Sequence, residues 1–348
     1  MTDIVISEAA ISLREGDSTY LTATIYPENA TNKNVVWSSS DGSTVSVDNG
    51  IIKAHRIGSA TITVKSEDGG ITASCQVAVT VNYIAFETES GSNFAYFDRL
   101  YANLEYSDNN ADWHSCEVDL KMPFGNGSKL YLRGYGNNVE DESHMIGHII
   151  LGDNTKVVCT GNIMTLLDYE NPPMEIRRSG CFYWLFWGCT SLVKAPELPA
   201  EQLSSNCYET MFGCTSLREA PELPALNLAE SCYFYMFSHC SSLEHASVLP
   251  ATKLFRGCYA GMFQNCESLT TAPDLPSLEL EDLCYSYMFA GCLALNYVKA
   301  MFINKKYNST DVWMGWTSST GTFVKNRAAT WDNEGVIPQG WTVELADE

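Results

Sequence analysis

Apolar and polar residues alternate over the first eighty positions. Leu21, Ala23 and Ile25 are separated by threonines, as are Ala60, Ile62 and Val64, and Ala73, Cys75 and Val77 take polar neighbours. This is the period-two pattern of strands with one buried face. Glu15-Gly16-Asp17, Asp41-Gly42, Asp48-Asn49-Gly50 and Asp68-Gly69-Gly70 punctuate it with turn chemistry. Short strands at this spacing predict a β-sandwich over residues 1–82, with Trp37 as a core residue. Over 83–145 the pattern is looser. Asn103 to Asp108 and Lys129 to Gly134 read as strands, with turns at Asp108–Asp112 and Gly125–Ser128 and a loop at Val139–Ser143. A second, small β domain is expected there.

From residue 146 onward the pattern changes period. Cys207-Tyr208, Met211-Phe212, Cys214 and Ser216-Leu217 return as Cys232-Tyr233, Met236-Phe237, Cys240 and Ser242-Leu243, and again from Cys258 and from Cys284. A worn copy precedes them at Cys181-Phe182, Leu185-Phe186 and Cys189. Self-similarity at such a period marks stacked units, none of which can bury its apolar face alone. Cys207, Tyr208, Met211, Phe212 and Cys214 fall at i, i+1, i+4, i+5 and i+7, which predicts a short helix with one apolar side. Leu217 to Pro224, where prolines forbid a continuing helix, predicts an extended segment laid in a parallel ladder. The second copy lacks one residue between Phe212 and Cys214, so a local irregularity is expected there.

Two resemblances follow from these words. Met-Phe-x-x-Cys-x-Ser-Leu, Ala-Pro-x-Leu-Pro and Cys-Tyr-x-x-Met-Phe resemble the BspA-like group of leucine-rich-repeat surface proteins of Bacteroides-type gut bacteria and their phages. The run Cys159 to Leu167 looks like that group's lead-in, and Gly321-Thr322-Phe323 with Ile337 to Val343 looks like its closing segment. The resemblance covers about the last two-thirds of the chain and implies a binding scaffold. Leu21 to Pro27, Val36 to Asp41 and Gly58 to Val64 are similar to the second group of bacterial immunoglobulin-like domains, which implies a spacer or adhesion module of surface or virion proteins. The expected fold class is therefore multidomain and β-rich. It comprises an immunoglobulin-like sandwich (1–82), a small β domain (83–145) and an α/β leucine-rich-repeat solenoid with caps (146–348, repeats about 181–300, C-terminal cap 301–348).

Charge and cysteine usage narrow the partners. A formal net charge of −21 opposes binding to nucleic-acid phosphates and to anionic membrane surfaces. No apolar stretch is long enough to span a bilayer. Ten of the 13 cysteines belong to the repeat. The two within a copy would lie roughly 11–12 Å apart on one helix, beyond the ~7 Å that a disulfide tolerates. Buried thiol columns are expected, since free cysteine packs as a small apolar residue.

Candidate chemistry is sparse. Asp108, Asn110 and Asp112 copy the start of a calcium loop, but Trp113 stands where glycine is needed, so a polar hairpin turn is the reading. His144 and His148 have metal spacing only if both lie on one helix, which Gly147 disfavours. No nucleophile elbow, phosphate-cradling loop or His-Glu-x-x-His is present, so no enzyme, cofactor or metal is expected. Two columns of matching positions offer binding candidates: Lys194, Glu219, His245, Thr271 and Tyr297, and the mostly acidic Glu197, Glu222, Val248 and Asp274. Variable residues on a constant scaffold are where a repeat protein places specificity. Trp313, Trp316, Trp331 and Trp341 are expected to cover the end of the core.

The expected protein is non-enzymatic and surface-displayed. It would dock on a capsid or surface component through the N-terminal domain and present the repeats to a host protein or glycan. Met1-Thr2-Asp3 leads straight into a strand pattern without a leader or anchor, which favours a virion decoration or fibre protein. The alternative is a secreted adhesin of a gut bacterium with its leader trimmed, and a third reading is an accessory domain of a glycan-degrading system.

Overall fold

The alternating N-terminal segment forms strands where its period-two pattern lies. The computed structural model describes residues 2–346 apart from 15, 57, 68–69, 81, 89–92, 126–128, 141–144, 153–154, 214–215 and 307. The chain divides into two units, Met1–Asn82 and Tyr83–Glu348. In the first, β2 (Ala10–Arg14), β9 (Thr72–Thr80), β8 (Gly58–Ser66) and β5 (Val35–Ser39) form one sheet in that order. Opposite lie β3 (Ser18–Tyr20), β7 (Ile51–Ala54) and β6 (Val45–Asp48), and β1 (Asp3–Ile6) pairs with β4 (Ala23–Tyr26). The inward residues Leu21, Ile52, Ile62, Cys75 and Val77 make the core, with Trp37 half-buried against it. At the turn before β6, Asp41 accepts hydrogen bonds from the hydroxyls and backbone N–H groups of Ser43 and Thr44, which hold its carboxyl at about 2.

The second unit begins with two sheets. One runs β13 (His114–Ser115), β12 (Leu104–Ser107), β15 (Lys129–Gly134), β10 (Ile84–Thr88), β17 (Val157–Thr160) and β18 (Leu192–Lys194). The other runs β14 (Met122–Pro123), β11 (Phe94–Leu100) and β16 (Gly147–Leu151). The strands expected within 83–145 thus share a sheet and a continuous core with the repeats, because β17 pairs in parallel with β18 of the first copy. The β16 segment underlies that copy too: Ile146 and Ile149 donate their N–H groups to Cys181 and Leu185. The irregularity expected at Cys214 and the partner His144 lie outside the described residues.

The α/β leucine-rich-repeat solenoid expected for residues 146–348 does not form. Among the described residues the one helical element is a 3-10 turn at Ile163–Leu166, whose N-cap Asn162 accepts from Met164. The reason lies in the backbone of each copy. Gly180, Trp184 and Gly188 have φ of 63°, 58° and 72°, and the same four-residue rhythm recurs at Ser231, Tyr235 and His239 and at Gly257, Gly261 and Asn265. A left-handed residue every fourth position is incompatible with a right-handed α-helix. Each copy becomes a chain of turns instead.

Those turns use their backbone groups alternately. Tyr183, Leu185 and Trp187 donate within the copy, to Gly180, Phe182 and Trp184, while Phe182, Trp184 and Phe186 donate across to Cys207, Glu209 and Met211 of the next. The following copies repeat the pattern: Tyr208, Tyr233 and Tyr259 donate to Cys232, Cys258 and Cys284. A helix would spend all these donors internally. Turns leave half of them to join layer to layer, which answers the demand that buried backbone groups be paired. A last layer over residues 308–316 receives the bonds of Tyr285, Tyr287, Phe289 and Gly291. Beyond it, β19 (Tyr297–Ala300), β20 (Thr322–Lys325) and β21 (Thr342–Leu345) pair in parallel.

Side chains inside the layers stack in columns. Phe182, Tyr208, Tyr233, Tyr259 and Tyr285 form one aromatic ladder, with ring centroids 5.6 Å apart at its first step, and Phe186, Phe212, Phe237, Phe263 and Phe289 form another. Trp313 closes both ladders, 6.1 Å from Tyr285 and 6.3 Å from Phe289. The twelve cysteines among the described residues are buried thiols. Cys189, Cys240, Cys266 and Cys292 donate their Sγ–H to carbonyls of the preceding layer or of β16: Ile149, Phe212, Phe237 and Phe263.

The tyrosine ladder carries a cost. The Tyr208 and Tyr259 hydroxyls are buried without a hydrogen-bond partner, while Phe182 fills the equivalent place in the first copy. Tyr259→Phe is therefore expected to stabilise the fold by about 1–2 kcal/mol, relieving an unsatisfied polar group. Its urea midpoint should rise, and a loss above about 1 kcal/mol would mean the hydroxyl has a partner.

Candidate binding surface

The two columns singled out in the sequence lie on the surface of the stack. Lys194, Glu219, His245 and Thr271 are exposed and Tyr297 is half-buried. Backbone pairing holds part of this column in register: Glu219 bridges to His245 and Thr271 to Tyr297, through N–H bonds of 3.0 Å from Ala220 to His245 and 2.9 Å from Ala272 to Tyr297. Lys194 pairs instead with Val158 of β17.

The acidic column is divided. Lys194, Glu197 and Glu222 meet in one open groove of about 460 Å³, walled by Pro196, Pro199, Pro221 and Pro224. Prolines keep the backbone there from donating, so the groove offers side-chain charge over a rigid apolar floor. Asp274 lies elsewhere and is spoken for: its carboxylate holds the Lys299 ammonium at 2.6 Å and raises that amine's pKa through the hydrogen bond. Val248, between them in sequence, is 76% exposed.

The other candidates resolve as local structure. Asn109 accepts from the N–H groups of Ala111 and Asp112 and from the Ser107 hydroxyl, closing the hairpin between β12 and β13 with the loop's own side chains. His148 spans Asp98 and the Trp187 carbonyl, both at 2.8 Å. Of the C-terminal tryptophans, Trp313 and Trp341 are buried and Trp331 packs on the core, whereas Trp316 is 73% exposed.

Two aromatic features escaped the sequence reading. The Arg133 guanidinium sits 4.0 Å from the Trp113 ring centroid and 4.2 Å from Tyr169, with Glu105 at 2.7 Å. This cage is filled by its own arginine. The second feature is a column of half-buried rings along the turns: Trp184, Tyr235 and Tyr287. They hold the same position in alternate copies, three residues after Cys181, Cys232 and Cys284, so comparing every second copy would have revealed them. Beside Trp184, Tyr183 stacks at 4.8 Å, and burial raises its hydroxyl with help from Glu209. Glu209 is raised in turn by burial, against its hydrogen bond from Asn206.

Comparison with known proteins bears on the first unit. Residues 1–77 match the bacterial Ig-like domain (group 2), and the N-terminal segment is such a domain. The chain is 43% identical over 81 residues to an uncharacterised protein of Clostridium acetobutylicum, covering 23% of this chain and 8% of that one. It is 47% identical over 70 residues to an alpha-L-arabinofuranosidase of Bifidobacterium longum subsp. longum, 20% of this chain and 7% of the relative. With the kappa-carrageenase of Pseudoalteromonas carrageenovora it shares 40% identity over 80 residues, 23% and 20% of the two chains. The shared stretch is domain-sized, and the chain spans less than a quarter of each of these relatives. Domains of this group occur in extracellular or surface proteins, and among the described residues no helix is long and apolar enough to cross a membrane.

Proposed function

We propose that this chain is a non-enzymatic binding protein displayed at a surface, docking through its Ig-like domain and presenting the stacked unit for recognition. The observation that carries the reading is the register of the outer column. Backbone bridges hold Glu219 against His245 and Thr271 against Tyr297, while the side chains differ from layer to layer. Constant backbone with varied exposed side chains is the arrangement from which repeat proteins build specific surfaces. Lys194, Glu197 and Glu222 in the proline-walled groove add an adjacent charged recess for a polar partner. The presence of similar Ig-like stretches in otherwise different relatives supports a portable spacer or docking role for residues 1–77.

The setting proposed is a phage particle, as a decoration or fibre protein. A cell-surface adhesin is the second reading, favoured by the bacterial origin of the relatives. Mass spectrometry of purified gut-phage particles and of Bacteroides-type outer-membrane fractions tests both. Peptides of this chain in particles support the first setting, and peptides confined to envelopes support the second. Recovery from the cytosol alone overturns surface display.

A further inference from the structure

Among the described residues the turn layers place left-handed residues at three recurring positions, and glycine or asparagine meets that requirement with least strain. One position takes Gly180, Asn206, Ser231, Gly257, Leu283 and Asn308; another takes Gly188, His239, Asn265, Gly291 and Trp316. The middle position is the one most often bulky. It carries Trp184, Thr210, Tyr235, Gly261, Tyr287 and Val312, with φ between 48° and 61°. Bulky residues in this region cost on the order of 1–3 kcal/mol each, and such outliers gather where function holds them. Burial does not repay the cost in full, because Trp184, Tyr235 and Tyr287 are only half-buried.

These residues form one column by backbone register. Trp184 donates to Glu209, Thr210 to Phe234, Tyr235 to Ala260, Gly261 to Ser286 and Tyr287 to Asp311, so each N–H joins its layer to the next at the same point. Rings therefore occupy alternate layers, with Thr210 and Gly261 between them. The Tyr235 ring lies across Gly261 so closely that a β-carbon there would clash with it, and the Trp187 ring lies across Gly213 in the same way. Tyr183, Trp184 and Trp187 keep their ring planes within 25° from one neighbour to the next at the first layer. Tyr287 lies near enough to Tyr235 to raise its hydroxyl, after burial. At the third position of adjacent layers the Asn265 amide lies 3.4 Å from the His239 imidazole, and Arg99 approaches the Trp184 ring at 5.8 Å.

From this geometry we infer that the column Trp184, Tyr235 and Tyr287 is a binding platform for an extended, neutral, β-1,4-linked polysaccharide. Successive sugars in such a chain turn over, so the same apolar face recurs at every second residue. Rings on alternate layers are separated by two ladder rises of ~4.8 Å, about the length of one disaccharide. Tyrosine and tryptophan supply flat amphipathic area with little side-chain entropy to lose, and the intervening Thr210 and Gly261 leave the strip unobstructed. The Thr210 hydroxyl, the Asn265 amide and the His239 imidazole can exchange hydrogen bonds with sugar hydroxyls, and Arg99 is the cation beside the Trp184 ring. The net charge of −21 disfavours a polyanionic glycan.

This inference rests on the reading of the chain as a binding protein but uses a face other than the charged columns. Calorimetric titration of the full chain with cellohexaose, mannohexaose and xylohexaose tests it. At least one hexasaccharide should bind, and the corresponding disaccharide should bind more weakly. Tyr235→Asn, which suits the positive φ, should weaken binding about tenfold, as loss of one aromatic anchor does, while Tyr135→Ser, at an exposed ring outside the column, leaves it unchanged. Near-ultraviolet circular dichroism establishes that both variants fold. Absence of binding to all three hexasaccharides, or equal affinity in Tyr235→Asn and the parent, overturns the platform. Surface display is read independently by mass spectrometry, so a surface protein that fails these titrations loses only the glycan platform.

Discussion

Raising the pH from 9 towards 12 is expected to unfold the second unit cooperatively, with the repeat thiols and phenols as the cause. Burial pushes Cys189 and Cys292 up to about 12, and raises Cys207, Cys232 and Cys266 and the ladder hydroxyls of Tyr208, Tyr233, Tyr259 and Tyr285 well above their ordinary values. In the folded state these groups stay protonated; in the unfolded chain thiols ionise near 9.0 and phenols near 10.0. The unfolded state then binds fewer protons, so stability falls as pH rises. The contribution is intact below the unfolded pKa values and is lost progressively above them. Each such group subtracts about 1.4 kcal/mol per pH unit in that window. Several acting together exhaust a typical stability of about 5–15 kcal/mol within one or two pH units. Near-ultraviolet circular dichroism followed from pH 7 upward in reductant, with thiol reactivity in parallel, reads the transition. Persistence of the folded signal with unreactive thiols beyond pH 12 would refute the linkage.

Trp313→Ala is expected to be the most damaging single truncation in the stack. The indole is 1% exposed, ends both aromatic ladders, touches Phe302 and Phe323 at 6.0 Å, and donates Nε1–H to the Val336 carbonyl at 2.7 Å. Removing it forfeits transfer energy, leaves a cavity and strips a buried carbonyl of its donor, together about 3–5 kcal/mol. Because the first unit has its own core, the loss should fall on the second unit's urea transition alone. Trp313→Phe, which keeps the stacking and loses the hydrogen bond, should cost less. A destabilisation below about 1 kcal/mol in the alanine variant would show that the layers do not depend on this cap.

Legibility differed between the two units for a physical reason. Strand alternation in residues 1–82 is a local signal, since Ala60, Ile62 and Val64 face one way whatever they pair with, and the strands form where it lies. In the repeats, Cys207, Tyr208, Met211 and Phe212 are buried as a helical face would bury them. Over so short a run a four-residue turn unit and a 3.6-residue helix bury the same positions. The distinguishing information is the sign of φ at Asn206, Thr210 and Ser231, and apolar patterning carries none of it. The candidate surface was legible to the same extent. Lys194, Glu197 and Glu222 were named from repeat position and meet in a groove, while Asp274 from the same column is engaged by Lys299. The aromatic column at Trp184, Tyr235 and Tyr287 was missed because Thr210 and Gly261 interrupt it in the intervening copies.

The sequence by itself determined the division near residue 82, the Ig-like domain, the period of the repeat and which side chains are buried. The Ig-like domain follows from its resemblance to that family, and the rest from apolar spacing and from words that recur within the chain. Only the tertiary structure decided the backbone of the copies and the surface built on it. A single copy has no partner for the N–H groups of Tyr208, Thr210 and Phe212. When the next copy supplies the carbonyls of Cys232, Phe234 and Met236, the turn conformation satisfies every layer at once, and neighbouring layers outweigh the local preference for a helix.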